Sequence, residues 1–79
     1  LPHLRVVVRD EVREFVEEGG DVFAKHVLGA DPEIRPGEEV IVSDCAGKVV
    51  AVGKALLTGV EMLAFKRGVA VKTRRGAVE

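Results

Sequence analysis

Seventy-nine residues with one cysteine and a net charge of −1 suffice for one small domain and exclude a disulfide framework. The single cysteine fits a reducing cytoplasm. The sequence has no apolar run long enough to span a membrane and no signal peptide pattern. Asn and Gln are absent while Val, Glu, Lys and Arg are abundant, a composition typical of proteins from hot environments.

The first part of the chain predicts a strand and then a helix. Residues 5–9 form the apolar run of a buried strand, and Asp10 stands where it can cap a helix that continues to Glu18. The pair Gly19-Gly20 then ends the helix, since glycine tolerates the left-handed conformation of helix ends. The apolar positions of this helix recur at helical spacing: Val12, Phe15 and Val16.

The middle of the chain predicts three strands. One begins at about Phe23 and contains His26, and a loop rich in proline follows over residues 31–37. Residues 39–43 and 48–57 predict a hairpin, in which Gly53 marks a bulge or a close backbone approach.

A second helix and a last strand complete the chain. Thr58 and Glu61 have the spacing of a capping box, which predicts a short helix over residues 59–65 with Met62, Leu63 and Phe65 as its apolar contacts. So few helices disfavour a doubly wound sheet, and several short strands favour a sheet curled into a small barrel.

The last strand carries an unusual charge. Residues 66–75 hold five of the twelve Lys and Arg side chains and no acid, whereas residues 1–65 hold seven basic and twelve acidic side chains. Strand alternation turns Val69, Val71 and Thr73 to one face and Ala70, Lys72 and Arg74 to the other. One face suits a core and the other a polyanion, although ion pairs with the acidic segments would also explain the charge. Arg75 lies past the alternating pattern and is expected to be solvated.

The sequence offers no catalytic, metal or cofactor motif. His3, His26, Ser43 and Cys45 are scattered without nucleophile spacing, and no glycine-rich phosphate-binding fingerprint is present. The lone Cys45 is expected to be a small, partly buried hydrophobe.

A binding function has better support. The segment from Gly19 to Lys25 joins a helix to a strand, and its two glycines allow backbone amides to approach phosphates or base edges. Lys25 adds a positive charge. Phe23 would stack on a base or, as is usual for phenylalanine, fill the core.

In combination, these segments resemble the PUA domain, a small RNA-binding module of pseudouridine synthases and archaeosine transglycosylases. The resemblance extends from Arg5 to Arg75 and is carried by residues 22–27, 30–40, 51–62 and 65–72. The chain is most similar to the C-terminal PUA domain of archaeal tRNA-guanine transglycosylases.

This resemblance implies a mixed α+β, mainly β fold: a pseudo-barrel of about six strands with two short helices. It assigns residues 5–79 to the domain and residues 1–4 to a linker or the end of a preceding segment. The expected partners are RNA, most of all the acceptor end of tRNA, and a catalytic domain or subunit of an RNA-modifying enzyme. DNA, membranes and cofactors are not expected. The implied RNA-binding residues are Gly19, Gly20, Asp21, Val22, Phe23, Ala24, Lys25, Lys66, Arg67, Lys72 and Arg74.

The catalytic aspartates and the Cys/His zinc site of the transglycosylases have no counterpart in this sequence, so the chain by itself is expected to be non-catalytic. Two alternatives stay open. One is a protein-interaction or oligomerisation module attached to an enzyme without RNA binding. The other is a module that regulates or completes an enzyme active site in trans.

Overall fold

Six strands and two short helices follow one another in the computed structural model, which describes residues 4–77. The strands are β1 (Leu4–Val8), β2 (Val22–Phe23), β3 (Val27–Ala30), β4 (Glu39–Ser43), β5 (Val49–Ala55) and β6 (Val69–Gly76). The helices are α1 (Arg13–Glu17) and α2 (Gly59–Ala64), and 3-10 turns occupy Asp10–Val12 and Ala24–His26. The expected linker over residues 1–4 lies outside the described residues except for Leu4, which opens β1.

All six strands belong to one sheet in the order β2-β6-β5-β4-β1-β3. The β1–β4 pair is parallel and the other neighbours are antiparallel. Helix α1 packs against β5 and β6, while α2 packs against β3 and the second 3-10 turn. This is the nearly closed, mainly β pseudo-barrel with two short helices that the sequence predicted.

The interior of the barrel is built mostly from valine. Short β-branched side chains suit a strongly curved sheet because they fill a narrow interior without long rotamers. Helix α2 contributes Met62 and the long loop before β4 contributes Ile34 to the same cluster. The fully buried valines are Val6, Val8, Val16, Val22, Val40, Val42, Val50 and Val71.

The predicted cap of the first helix is wrong. The helical segment opens with a 3-10 turn whose N-cap, Arg9, makes no side-chain capping bond. The carboxylate of Asp10 instead accepts a hydrogen bond from the amide of Cys45 at 3.5 Å, because the β4–β5 turn packs beside it. On α1 only Val16 is buried, whereas Phe15 is 55% exposed.

The single strand predicted from Phe23 to Leu28 is also wrong. Strand β2 ends at Phe23, the 3-10 turn contains His26, and β3 begins at Val27. The division has a topological cause: β2 pairs with β6 and β3 pairs with β1, so the two strands lie at opposite ends of the sheet order. The chain must therefore turn between them, and the apolar sequence does not reveal the turn.

Other local predictions have mixed outcomes. The capping box of α2 and the irregularity at Gly53 are confirmed. Leu63 and Phe65 are exposed, so of the three expected contacts only Met62 reaches the core. Cys45 is exposed, contrary to expectation.

The face assignment of the last strand is only partly correct. Lys72 and Arg74 are exposed, but Ala70 and Val71 are both buried. Register shifts occur where β6 pairs with β2 and with β5. These shifts interrupt the simple alternation of side chains between the two faces of the sheet.

Candidate nucleic-acid interface

The glycine segment between α1 and β2 forms a closed helix end. Gly19 adopts a positive φ of 103°, and its amide donates to the carbonyl of Val16 at 3.0 Å. The Gly20 amide donates to the carbonyl of Phe15 at 2.9 Å. These bonds satisfy carbonyls at the helix end. The expectation of free amides is therefore wrong at both glycines, whose N–H groups already have acceptors.

Gly20 has a steric role beside Phe15. A Cβ atom placed on Gly20 would lie 2.2 Å from Cε2 of the Phe15 ring, far inside van der Waals contact. The absence of a side chain at Gly20 thus allows an exposed aromatic ring to lie across the segment that the sequence predicted to contact RNA.

Side-chain contacts with β6 hold this segment in place. Oδ1 of Asp21 accepts a hydrogen bond from the Thr73 amide at 3.1 Å, and the Thr73 hydroxyl donates to the Gly20 carbonyl at 2.7 Å. Oδ2 of Asp21 lies 3.5 Å from Nζ of Lys72. Asp21 therefore anchors the loop and pairs with one of the cations predicted to contact RNA.

The loop before β6 is joined to the second 3-10 turn. The amide of Ala24 donates to the carbonyl of Gly68 at 2.9 Å, and Phe23 pairs with Val69 in the sheet. Gly68 has a φ of 93°, a conformation that glycine adopts without strain. These contacts bring the loop that carries Lys66 and Arg67 beside the turn that carries Lys25.

The predicted cations fall into two groups. Lys72 pairs with Asp21, and Arg74 pairs with Glu39 on β4. Lys25, Lys66 and Arg67 are exposed and have no ion pair with any residue between 4 and 77, and we call these three residues the free cations. Since an exposed cation without a partner offers its full charge to a ligand, the free cations are the better candidates for binding phosphates.

An exposed aromatic ring lies beside the free cations. Phe23 is 39% exposed, so it does not fill the core as is usual for phenylalanine. Its ring meets the imidazole of His26 edge-to-face, with ring centroids 6.3 Å apart and planes at 82°. A ring in this position offers a face on which a nucleotide base can stack.

Between residues 4 and 77, no three His, Cys, Asp or Glu side chains come together as metal ligands. Loss of hydration, followed by the charge of Asp10, raises the pKa of the Cys45 thiol, which disfavours the reactive thiolate. In the same part of the chain, no helix is long and apolar enough to cross a membrane.

The small, mainly β pseudo-barrel of six strands and two short helices matches the fold of the PUA domain. The family model of the PUA domain matches residues 4–77. The chain therefore belongs to the PUA domain family, whose members are RNA-binding, non-catalytic modules.

Individual relatives agree with this assignment. The chain is 52% identical over 75 residues to the tRNA-guanine(15) transglycosylase of Pyrococcus abyssi; the match covers 95% of the chain but only 13% of that enzyme. Related enzymes of this kind come from thermophilic archaea, as the composition suggested.

Solved structures show the same fold inside longer chains. NSun6 from Pyrococcus horikoshii matches with a TM-score of 0.92 and 33% identity, over 95% of this chain and 20% of that one. A chain of an H/ACA RNP bound to a substrate RNA matches with a TM-score of 0.92 and 26% identity, over 98% of this chain and 24% of that one.

Proposed function

We propose that this domain binds the acceptor end of tRNA in the cytoplasm, as the recognition part or a partner of an RNA-modifying enzyme of the tRNA-guanine transglycosylase type. One observation carries the proposal. The Ala24–Gly68 hydrogen bond assembles the free cations next to the exposed Phe23 ring. Positive charges that can bind phosphates thus lie next to an aromatic ring on which an unpaired base can stack.

The proposed mechanism is recognition without chemistry. The free cations hold backbone phosphates, and Phe23 stacks on a base of the single-stranded 3′ end. Lys72 and Arg74 border this surface and adjust its charge together with their acidic partners. Gly19, Gly20, Asp21, Val22 and Ala24 shape the surface through their backbone, and Asp21 fixes the loop to β6.

The first experiment removes one free cation. Arg67→Ala is expected to weaken binding of a tRNA transcript and to reduce the slope of log K against log salt by roughly 0.7–0.9, the contribution of one phosphate contact. The measurement is fluorescence anisotropy at two or more salt concentrations. Arg35→Ala is the matched control, because Arg35 is also exposed but lies in the loop between β3 and β4. The control is expected to bind like the wild type.

The second experiment removes the unpaired 3′ end of the tRNA. Loss of this end is expected to weaken binding by the wild type, since the stacked base and its phosphates are lost. Equal affinity for both transcripts would contradict acceptor-end recognition. Affinity that responds to neither salt nor RNA truncation would contradict RNA binding by this surface.

A protein contact is the second candidate, and it too has a specific observation. Helix α2 and the residue after it expose Val60, Leu63 and Phe65. Exposed apolar side chains on one short element are typical of a surface that packs on another domain. Since the chain spans 13% of its transglycosylase relative, we assign this surface to contact with a catalytic domain or subunit. Leu63→Glu is expected to weaken that contact in a pull-down and to leave tRNA affinity unchanged. An unchanged pull-down would contradict the assignment.

A further inference from the structure

A further cationic residue, Arg9, directly follows β1 and lies beside the second 3-10 turn. The amide of Arg9 donates to the carbonyl of His26 at 3.0 Å. Val8, the residue before Arg9, pairs in the sheet with Val27, the residue after His26. The backbones of Arg9 and His26 are therefore fixed side by side although the residues are distant in sequence.

The charges around His26 are mostly positive. Loss of hydration, then the positive charges of Lys25 and Arg9, lower the pKa of His26, while the smaller effect of Glu11 raises it. Helix α2, which packs against the turn, carries Glu61, whose carboxylate is held by the Thr58 amide. Arg9 and Lys25 thus add positive charge near the imidazole of His26, and Glu11 opposes their effect.

Such an arrangement costs free energy in the unbound protein. Arg9 and Lys25 are exposed, and neither has an ion pair with another residue of the segment 4–77. Positive charges that lie near one another repel, and the repulsion is relieved when an anion binds beside them. Positive charge gathered around a histidine with a shifted pKa is characteristic of functional sites.

We propose that Arg9, Lys25 and His26 form a second phosphate-binding position, which extends the RNA-contacting surface from the second 3-10 turn to the end of β1. The inference rests on the proposed RNA-binding function. In this arrangement Lys25 is shared: it faces the loop of Arg67 on one side and Arg9 on the other. Consecutive phosphates of one RNA strand would contact Arg67, Lys25 and Arg9 in turn. The Phe23 ring would lie between these cations and the base that stacks on it.

The test compares two arginines of the same strand region. Arg9→Ala is expected to weaken tRNA binding and to reduce the salt slope by roughly 0.7–0.9. Arg5→Ala removes the same charge from an exposed position earlier on β1 and is expected to bind like the wild type. Arg9→Lys keeps the charge and is expected to restore most of the affinity, and circular dichroism checks that each variant is folded.

A pH titration tests the histidine. A bound phosphate favours the protonated imidazole, so tRNA binding by the wild type is expected to tighten as pH falls below the ordinary histidine range. His26→Gln cannot take up this proton and is expected to lose that tightening. If His26→Gln and the wild type show the same dependence of tRNA affinity on pH, His26 is not part of the phosphate-binding position.

The outcomes separate this inference from the function on which it rests. If Arg67→Ala weakens tRNA binding but Arg9→Ala behaves like Arg5→Ala, the second position is wrong and the proposed function stands. If the wild type does not bind tRNA, both fail. If Arg9→Ala weakens the binding of polyglutamate but not the binding of tRNA, the cluster binds an acidic protein instead.

Discussion

Asp44 is a buried carboxylate at the start of an otherwise exposed hairpin turn. Its Oδ1 accepts hydrogen bonds from the Lys48 amide at 2.9 Å and the Ala46 amide at 3.0 Å. Its Oδ2 lies 3.3 Å from Nη1 of Arg13 on α1. The Lys48 amide above all, and then Arg13 and Ala46, lower the pKa of Asp44 against the opposing effect of lost hydration. Asp44 therefore stabilises the turn and ties it to α1 while it is ionised.

This coupling predicts a pH dependence of stability. Because the pKa of Asp44 is lower in the folded protein, its contribution is complete above the ordinary aspartate pKa and is lost as pH falls through the lowered value. Asp44→Asn is expected to lower the melting temperature at neutral pH and to flatten its decline in acid. Thermal denaturation followed by circular dichroism between pH 2 and pH 7 measures both effects. Glu33→Gln, an exposed site, is the charge control. An acid profile of Asp44→Asn that parallels the wild type would contradict this role.

Individual residues also show where sequence analysis reaches its limit. The sequence identified the basic cluster, but it could not separate free from paired cations. The partner of Arg74 is Glu39, which lies 35 positions earlier and comes close only when β4 and β6 flank β5. The proximity of Arg9 and His26 was not predictable for the same reason, since it depends on the β1–β3 pairing. For Phe23 the sequence left base stacking and a core position open, because its exposure depends on its place at the end of an edge strand.

At the scale of elements, α2 depends on its capping box. The Thr58 hydroxyl accepts a hydrogen bond from the Glu61 amide at 3.0 Å, and the Glu61 carboxylate accepts one from the Thr58 amide at 2.9 Å. A six-residue helix is too short to be stable alone, so its ends matter. Thr58→Ala is expected to cost about 1 kcal/mol. In a domain of this size that corresponds to a melting temperature lower by about 4–8 °C. Thr58→Ser keeps the acceptor and should melt near the wild type; an equal loss in both variants would rule out the cap as the cause.

Strand β5 depends on a glycine where β6 crosses closely. A Cβ atom on Gly53 would lie 2.4 Å from the carbonyl oxygen of Lys72 and 2.9 Å from a methyl carbon of Val71. Gly53→Ala must therefore displace backbone, and we expect a loss of about 1–3 kcal/mol in chemical denaturation. Gly29→Ala in β3 is the matched control, because its new Cβ would meet only Val7 at 3.9 Å. Equal stability of the two variants would contradict the close approach.

The elements that sequence analysis located well are those with local signals. A capping box and a glycine within an apolar strand are visible in a few consecutive residues, and both were confirmed. The boundary at Phe23 was missed because it follows from where two short strands find partners in the complete sheet. The pseudo-barrel itself was predictable mainly through the family resemblance, since strand order is a long-range property.

At the scale of the whole molecule, the fold converts a nearly neutral chain into one with a local cationic surface. The net charge is −1, yet the sheet places the free cations in two adjacent loops. Acidic residues pair with Lys72 and Arg74 on β6 and leave the free cations in the loops unpaired. A small number of phosphate contacts gives weak binding by itself, so attachment to another RNA-binding or catalytic domain would supply the remaining affinity.

This division of charge predicts the salt dependence of the complete domain. If the three free cations and Arg9 each neutralise one phosphate, log K for a tRNA transcript should fall with log salt at a slope of about −3. If Lys72 and Arg74 also exchanged their carboxylate partners for phosphates, the slope would approach about −5. A double variant, Lys66→Ala with Arg67→Ala, should halve the shallower slope, because two of four contacts are lost. Isothermal titration at several salt concentrations distinguishes these values. A slope near zero would contradict phosphate binding by these four cations, and a slope near −5 would show that the ion pairs of β6 open when RNA binds.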